Sequence, residues 1–501
     1  MDLREHKTGI QLLNHADAVR QKLSPKIALK RKSELGQFMT PAPVARFMAS
    51  LFPASTLRDC RLLDAGAGVG ALSCAFLDRW AAADGFVFEK AKVEAFEIDA
   101  TLRSHLESVL SSYAERVPVS YQVFSDDFIH AAALQTLGAR RFTHAILNPP
   151  YKKISSTSDH RLILRQAGIE TVNLYSAFVS LALALMKPNG QLVAIIPRSF
   201  CNGPYYRPFR EFILHYAALR HMHLFVSRTK AFRDDDVLQE NVIIRLERSG
   251  IQGNVRVSNS TDDSFADLAT HEQPFDRIVF PFDPEKFIHV PTSLGHNALE
   301  LSEGVRFSLP DIEIGVSTGP VVDFRLLKHI QQHPTKDAVP LLYPAHFSGQ
   351  ATQWPRDGIK RGNAIKLNSE TKKWLYPNGF YTVVRRFSSK EEARRIVASV
   401  VTPEAFPGAT MLGFENHLNV FHEEKHGLPE AIAYGLASFL NTTAVDENFR
   451  RFNGHTQVNA TDLRLMKYPD RRTLSALGAW AQSQDALTQS MLDDQLQKLA
   501  G

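Results

Sequence analysis

Short apolar runs alternate with helical stretches through the first half of the chain, and glycine, proline or acidic residues separate them. Residues 1–35 have helical spacing and a basic character. In GQFMTPAPVARFMASLF, Pro41 and Pro43 suit a helix start, and Val44, Phe47, Met48 and Leu51 recur at helical spacing. CRLLDAGAGVGALSCAFLDRW reads as strand, glycine turn and helix, and KVEAFEIDA, VSYQVFSDDF and FTHAILNPPY read as three further strands. NLYSAFVSLALALMKPNG predicts an apolar helix stopped by Pro188-Asn189-Gly190, with strands to follow in QLVAIIPRSF, LRHMHLFV and ENVIIRLER. This rhythm predicts a parallel α/β sheet closing near Gly250. The polar SGIQGNVRVSNSTDDS then suggests a boundary, and residues 251–501 mix short strands, turns and helices, ending in a helix from Leu474 to Leu499. The expected parts are a basic helical segment (1–35), an α/β domain (36–250) and a mixed α+β domain (251–501).

A length of 501 residues fits more than one core, and 44% hydrophobic with 22% charged residues is ordinary for a globular protein. No apolar run reaches membrane-spanning length, and MDLREHKTGIQ lacks a signal-peptide core. Cys60, Cys74 and Cys201 are too scattered for a disulfide framework or a cysteine metal site, which fits the cytoplasm. None of the 19 histidines sits in an HExxH frame, so no metal is expected. The net charge of +5 decides little, but its distribution is uneven. Arg20 to Lys32 holds six basic residues and no acid, and Arg356 to Arg395 holds eleven basic residues against four acids. Such blocks suit a phosphate backbone or, for the first, equally a solvated helix face.

The expected chemistry sits at the strand ends. In LLDAGAGVG, Gly66 and Gly68 let the backbone approach a ligand, but no Lys-Ser/Thr follows to make a phosphate loop. Asp64, just before the glycines, would repel a pyrophosphate and can pair with an ammonium. The next strands end in Glu97-Ile98-Asp99 and Asp126-Asp127-Phe128. An acid after the second strand can accept both ribose hydroxyls, and one after the third can accept an adenine amine. Each acid alone could simply cap a helix; three in register at one sheet edge, with the glycine turn, favour a site for S-adenosylmethionine, which carries an ammonium and a sulfonium and no phosphate.

The fourth strand ends in Asn148-Pro149-Pro150-Tyr151. An amine conjugated to a heterocycle is a poor nucleophile. Two acceptors, here the Asn148 amide oxygen and the Pro149 carbonyl, can draw it toward tetrahedral geometry and localise its lone pair. Proline rigidity fixes the carbonyl. Such a base is unreachable inside a duplex and must be flipped out. Tyr151 can form one stacking wall, and Phe232 either the other wall or a hydrophobic loop anchor. Lys152 and Lys153 are phosphate neighbours or solvated charges.

These motifs, over Gly36 to about Arg248, resemble those of the gamma-arrangement DNA adenine-N6 methyltransferases, in that family's order. GQFMTP resembles its first cofactor motif, implying Phe38, Thr40 and Pro41. LLDAGAGVG resembles the methionine-binding turn; FEIDA implies Glu97 on ribose and Ile98 on adenine. SDDF implies Asp127 (Asp126 stays open) with Phe128; NLYSAF implies Phe178 on adenine; KAF before ENVIIRL implies Phe232 on the target base. VSTGPVVDFR, LLYPAHFSGQATQWP, FENHLNVFH and RRFNGHTQVNATDLR extend the resemblance to PstI/BsuBI-type modification methylases across nearly the whole chain.

The resemblance implies a Rossmann-like S-adenosylmethionine-dependent domain, a target-recognition domain, a palindromic six-base site such as CTGCAG in duplex DNA, and a separate cognate restriction endonuclease. About thirty-five residues before GQFMTP are too few for a nuclease, and PDIEIG lacks a matching lysine, so methylation without cleavage by a cytoplasmic monomer is expected. Residue chemistry offers Arg356, Lys360, Arg361, Arg385, Arg386, Arg450, Arg451, His455, Gln457 and Asn459 as DNA contacts, most of them to phosphate. Ribosomal RNA and protein glutamine methyltransferases also carry NPPY, and a decayed methylase that only binds DNA is the non-enzymatic alternative.

Overall fold

The computed structural model describes residues 12–24, 39–135, 141–225, 240–281, 283–289, 304–348, 351–359, 362–388, 392–452 and 457–500. The chain divides into two compact units, Met1–Leu294 and Gly295–Gly501.

In the first unit, α1 (Leu13–Leu23) and α2 (Ala42–Ser50) precede the alternating series β1 (Asp59–Ala65), α3 (Ala71–Ala81), β2 (Lys90–Phe96), α4 (Ala100–Ala114), β3 (Val119–Phe124), α5 (Phe128–Gln135) and β4 (Phe142–Leu147). Then come α6 (Asp159–Gln166), α7 (Leu174–Ala184), β5 (Met186–Pro197), α8 (Arg207–Tyr216), β6 (Ala217–Phe225), β7 (Asn241–Arg248), β8 (Val255–Ser260) and β9 (Ala269–Gln273). The strands form one sheet in the order β3-β2-β1-β4-β5-β7-β6-β8-β9. Those from β3 to β5 are parallel, and β7 runs antiparallel between β5 and β6. This is a doubly wound, Rossmann-like sheet. Chain order reverses between β1 and β4, where open α/β sheets leave a crevice at the carboxyl edge.

Alternation within the strands splits the core between the two sheet faces. Leu62, Val93, Ile146, Val193 and Ile195 pack with α1 to α4, whereas Leu63, Ala145, Leu147, Leu192 and Ala194 pack with α5 to α8. Two expectations shift. The sheet does not close at Gly250, because β8 pairs with β6 and β9 with β8; the polar residues after 250 belong to β8, whose two valines are buried, and to the edge strand β9, in which no residue is fully buried. The apolar helix α7 stops at Ala184, before the Pro-Asn-Gly run, which β5 absorbs with Asn189 at φ 61° and an irregular register against β4.

The second unit contains a four-stranded, a five-stranded and a two-stranded sheet, with helices α9 (Glu430–Leu440), α10 (Thr443–Phe452), α11 (Ala460–Leu465), α12 (Arg471–Gln482) and α13 (Gln489–Ala500). The single helix expected from Leu474 to Leu499 is therefore two, because the polar Ser-Gln-Asp run after Gln482 offers no apolar face. Helices α9 and α12 touch backbone to backbone. A Cβ at Gly435 would lie 1.8 Å from the Leu474 carbonyl oxygen, and one at Gly478 would lie 1.8 Å from that of Ala431. Gly435→Ala must push the helices apart, and denaturant unfolding of the second unit is expected to show a loss of about 3 kcal/mol or more. An unshifted midpoint would contradict this packing.

Candidate functional site

At the carboxyl edge of β1, β2, β3 and β4 lies a cleft enclosing about 1160 Å³, part of it open to solvent. Its floor is the turn after β1. Gly66, Gly68 and Gly70 take φ of 78°, 56° and 89°, a left-handed path that side chains resist. The turn is stitched to the neighbouring strand. Gly66 and Ala67 N–H donate to the Phe96 carbonyl at 2.9 and 3.0 Å, and Gly68 N–H donates to Glu97 Oε2 at 2.8 Å.

Glu97 is buried and also accepts from Asp99 N–H through Oε1 at 2.8 Å. Burial raises its pKa, against the pull of these backbone bonds. Asp99, by contrast, caps α4 by accepting from Thr101 and Leu102 N–H. Ile98 stays 51% exposed although it lines the cleft, a bare apolar plate opposite polar groups. Phe128 and Phe178 form the apolar end, their rings 5.0 Å apart. Asp126 and Asp127 both line the same end.

Asn148 also lines the cleft and is nearly buried. Its Nδ2 donates to Thr40 Oγ1 at 3.0 Å, and its Oδ1 accepts from the Tyr151 hydroxyl at 3.1 Å. The amide oxygen thus faces the Tyr151 hydroxyl and the amide nitrogen faces Thr40. The Ile195 carbonyl, 3.2 Å from the same Tyr151 hydroxyl, is a second acceptor for its one proton, and the Tyr151 ring packs edge-on to Tyr175. Burial raises its phenol pKa above the usual range, so the hydroxyl stays protonated and donates.

Of the expected residues, Thr40, Gly66, Gly68, Glu97, Ile98, Asp127, Phe128, Asn148, Pro150 and Phe178 come together around this one cleft. Pro41 does not line it; its carbonyl starts α2. Pro149 is buried beside Asn148. Phe38 and Phe232 lie outside the described residues. Met39 of GQFMTP and Leu174 of NLYSAF also line the cleft, as do Leu102, Lys152 and His160, which no cofactor motif contained.

Asp64 departs from expectation. It is fully buried beneath the turn and does not line the cleft, so it is not placed for direct contact with an ammonium there. Its Oδ2 accepts from Ser73 Oγ at 2.6 Å, while Oδ1 has no hydrogen-bond partner among the described residues. Burial pushes its pKa up to about 7. Between the unfolded value near 4 and this one, the folded state keeps a proton that the unfolded chain has lost. The carboxyl therefore costs stability as pH rises from about 4 to 7, and the cost is constant above. Asp64→Asn is expected to raise stability at pH 8 by an amount of the order of a few kcal/mol, and to change little at pH 4. Melting curves across that range check the sign; equal shifts at both ends would refute it.

In the second unit the candidate DNA contacts are held by their own neighbours. Arg385 pairs with Glu392, and Arg450 with Asp446 at 2.7 Å. Arg386 donates to the Asn416 carbonyl at 3.2 Å and to Gln457 Oε1 at 3.4 Å, and Asn459 caps α11 with Asp462. Arg356 is exposed and donates to the Ala345 carbonyl. Lys360, Arg361, His455 and the Arg451 side chain lie outside the described residues. From the first basic block, Arg20 is buried and pairs with Asp17 at 2.7 Å, so it is no solvated charge.

Among the described residues no helix is long and apolar enough to cross a membrane. Residues 80–232 match the family model described as Eco57I restriction-modification methylase. A type II methyltransferase of Bacillus subtilis, M.BsuBI, is 50% identical over 498 residues, covering 98% of each chain. M.PstI of Providencia stuartii is 40% identical over 468 residues, covering 91% of each. Among solved structures, the DrdV–DNA complex shares the fold with a TM-score of 0.52 at 12% identity, over 93% of this chain and 59% of that one. With a site of this shape and identity sustained along almost its whole length, the chain belongs to the type II methyltransferases of restriction-modification systems.

Proposed function

We propose that the protein methylates N6 of adenine within a palindromic six-base site in duplex DNA, using S-adenosylmethionine, and so protects DNA from a separate cognate endonuclease. The observation that carries this reading is the Asn148 amide at the cleft, its nitrogen bonded to Thr40 and its oxygen facing the Tyr151 hydroxyl.

The residues present fit the cofactor. Gly66 to Gly68 offer a close backbone approach for the methionine part, Glu97 suits the ribose hydroxyls, and Ile98 and Phe178 suit the two faces of adenine, with Asp127 at its amine. Asp64 lies buried beneath the turn and is not among the residues lining the cleft. When bound, S-adenosylmethionine supplies an electrophilic methyl group.

The protein's own part is to prepare the nucleophile. Asn148 Oδ1 accepts one N–H of the target amine and the Pro149 carbonyl accepts the other. Localising the lone pair raises its nucleophilicity without a basic side chain. As the new N–C bond forms, the surplus N6 proton becomes acidic and leaves by way of these acceptors to water. Positioning and hydrogen bonds that strengthen in the transition state supply the rate. Flipping the adenine from the duplex brings it to this edge. Tyr151 is tied by its hydroxyl and by Tyr175, which makes it a rigid wall, and Phe232 is the proposed second wall. The second unit is the proposed target-recognition domain, with Arg356 the most accessible of its described candidate contacts.

Transfer of labelled methyl to duplex DNA, total RNA and protein extract tests this reading. Label is expected in DNA alone; label confined to RNA or protein would overturn it.

A further inference from the structure

Asp127 is held by a residue far away in sequence. Its Oδ1 accepts from Ile129 and His130 N–H at 2.8 and 3.2 Å, capping α5. Its Oδ2 lies 3.1 Å from Nε2 of His160. His160 is the second residue of α6, and it lines the cleft beside Asp127. The His130 ring packs against it, centroids 5.2 Å apart.

Helix α6 sits in a loop that leaves from NPPY and returns to α7. Leu174 N–H donates to the Lys152 carbonyl and Ile154 N–H to that of Val172, both at 2.8 Å. These bonds close the base of the loop at the catalytic strand end. The Arg161–Glu170 pair braces it. His160 ties the loop to Asp127.

We propose that His160 is a positioning residue which, by donating to Asp127 Oδ2, fixes the carboxylate so that its remaining lone pair selects the exocyclic amine of the cofactor's adenine. This rests on reading the cleft as the S-adenosylmethionine site. A carboxylate bound at one oxygen by two N–H groups can still swing its other oxygen. A ring N–H on that second oxygen stops the swing. Discrimination between an amine and a carbonyl at the purine 6-position then depends on His160, although the imidazole need not touch the purine.

The test compares S-adenosylhomocysteine with S-inosylhomocysteine, in which a carbonyl oxygen replaces the amine, by calorimetry on the full-length protein. EDTA is included, because Asp127, His130 and His160 lie close enough together to hold a metal ion. Wild type is expected to prefer the amine by about tenfold or more, the worth of one hydrogen bond to a charged group. His160→Ala should bring the two affinities within about twofold of each other, and His160→Gln, which can still donate, should keep most of the preference. A His160→Ala protein that retains the wild-type ratio, or a His160→Gln protein that loses it as fully as alanine does, overturns the inference. Wild type that binds neither ligand overturns the reading of the cleft itself, and the inference with it.

Discussion

Asn148→Ala is expected to slow methyl transfer to DNA roughly a thousandfold, the scale of removing one preorganised transition-state hydrogen-bonding group, while cofactor affinity stays within about threefold. That loss corresponds to about 4 kcal/mol of barrier. The asymmetry follows from the cleft. Asn148 is one of many groups lining it, and the cofactor's proposed partners lie on the turn and at the ends of β2 and β3. The amide oxygen is proposed to act on the incoming amine, whose lone pair changes most on the way to the transition state. Thr40→Val should give a milder defect in the same direction, because it frees Nδ2 and lets the amide rotate. Single-turnover rates with pre-bound cofactor, alongside calorimetry of cofactor binding, separate the two effects. If Asn148→Ala abolished cofactor binding, its assigned role would be wrong.

Glu97→Ala is expected to weaken cofactor binding about a hundredfold, as two hydrogen bonds to a charged group are lost. Two contributions combine. The carboxylate is the proposed acceptor for both ribose hydroxyls, and it also clamps the glycine turn through Gly68 N–H. Glu97→Gln should recover little of the loss. Both carboxylate oxygens face backbone N–H donors, so an amide must point its own N–H groups at one of them. The pH dependence has a definite sign. Because burial raises the pKa of Glu97, affinity should begin to fall at a higher pH than an ordinary glutamate would give as the solution is acidified. Calorimetric titration of wild type and both variants across pH measures this; a glutamine variant with wild-type affinity would remove Glu97 from the ribose.

Much of this cleft was legible in the sequence because parallel sheets write their binding edge as strand ends. LLDAGAGVG, FEIDA, SDDF and NPPY each mark a point where an apolar run stops, and β1, β2, β3 and β4 bring those points together. What sequence could not show was direction and depth. Asp64 and Glu97 look alike as acids next to a turn, yet one packs under the turn against Ser73 and the other lines the cleft. His160 lies in an unremarked helical stretch, and only the closed loop between Lys152 and Leu174 carries it to Asp127. Counting charges in the basic block did not show that Arg385 is taken up by Glu392 seven residues on, nor, outside that block, that Arg450 is taken up by Asp446 one helical turn earlier. The strands past 250 were hidden by composition, since a half-exposed strand such as β9 reads as loop.

The most direct measurement of the central claim is the chemical identity of the methylated nucleoside. Duplex DNA is treated with the protein and labelled S-adenosylmethionine, digested to nucleosides and separated. The account predicts label in N6-methyldeoxyadenosine, formed roughly a thousandfold more slowly by Asn148→Ala. Label in a methylated cytosine, or equal label in adenine with Asn148 and without it, would contradict it.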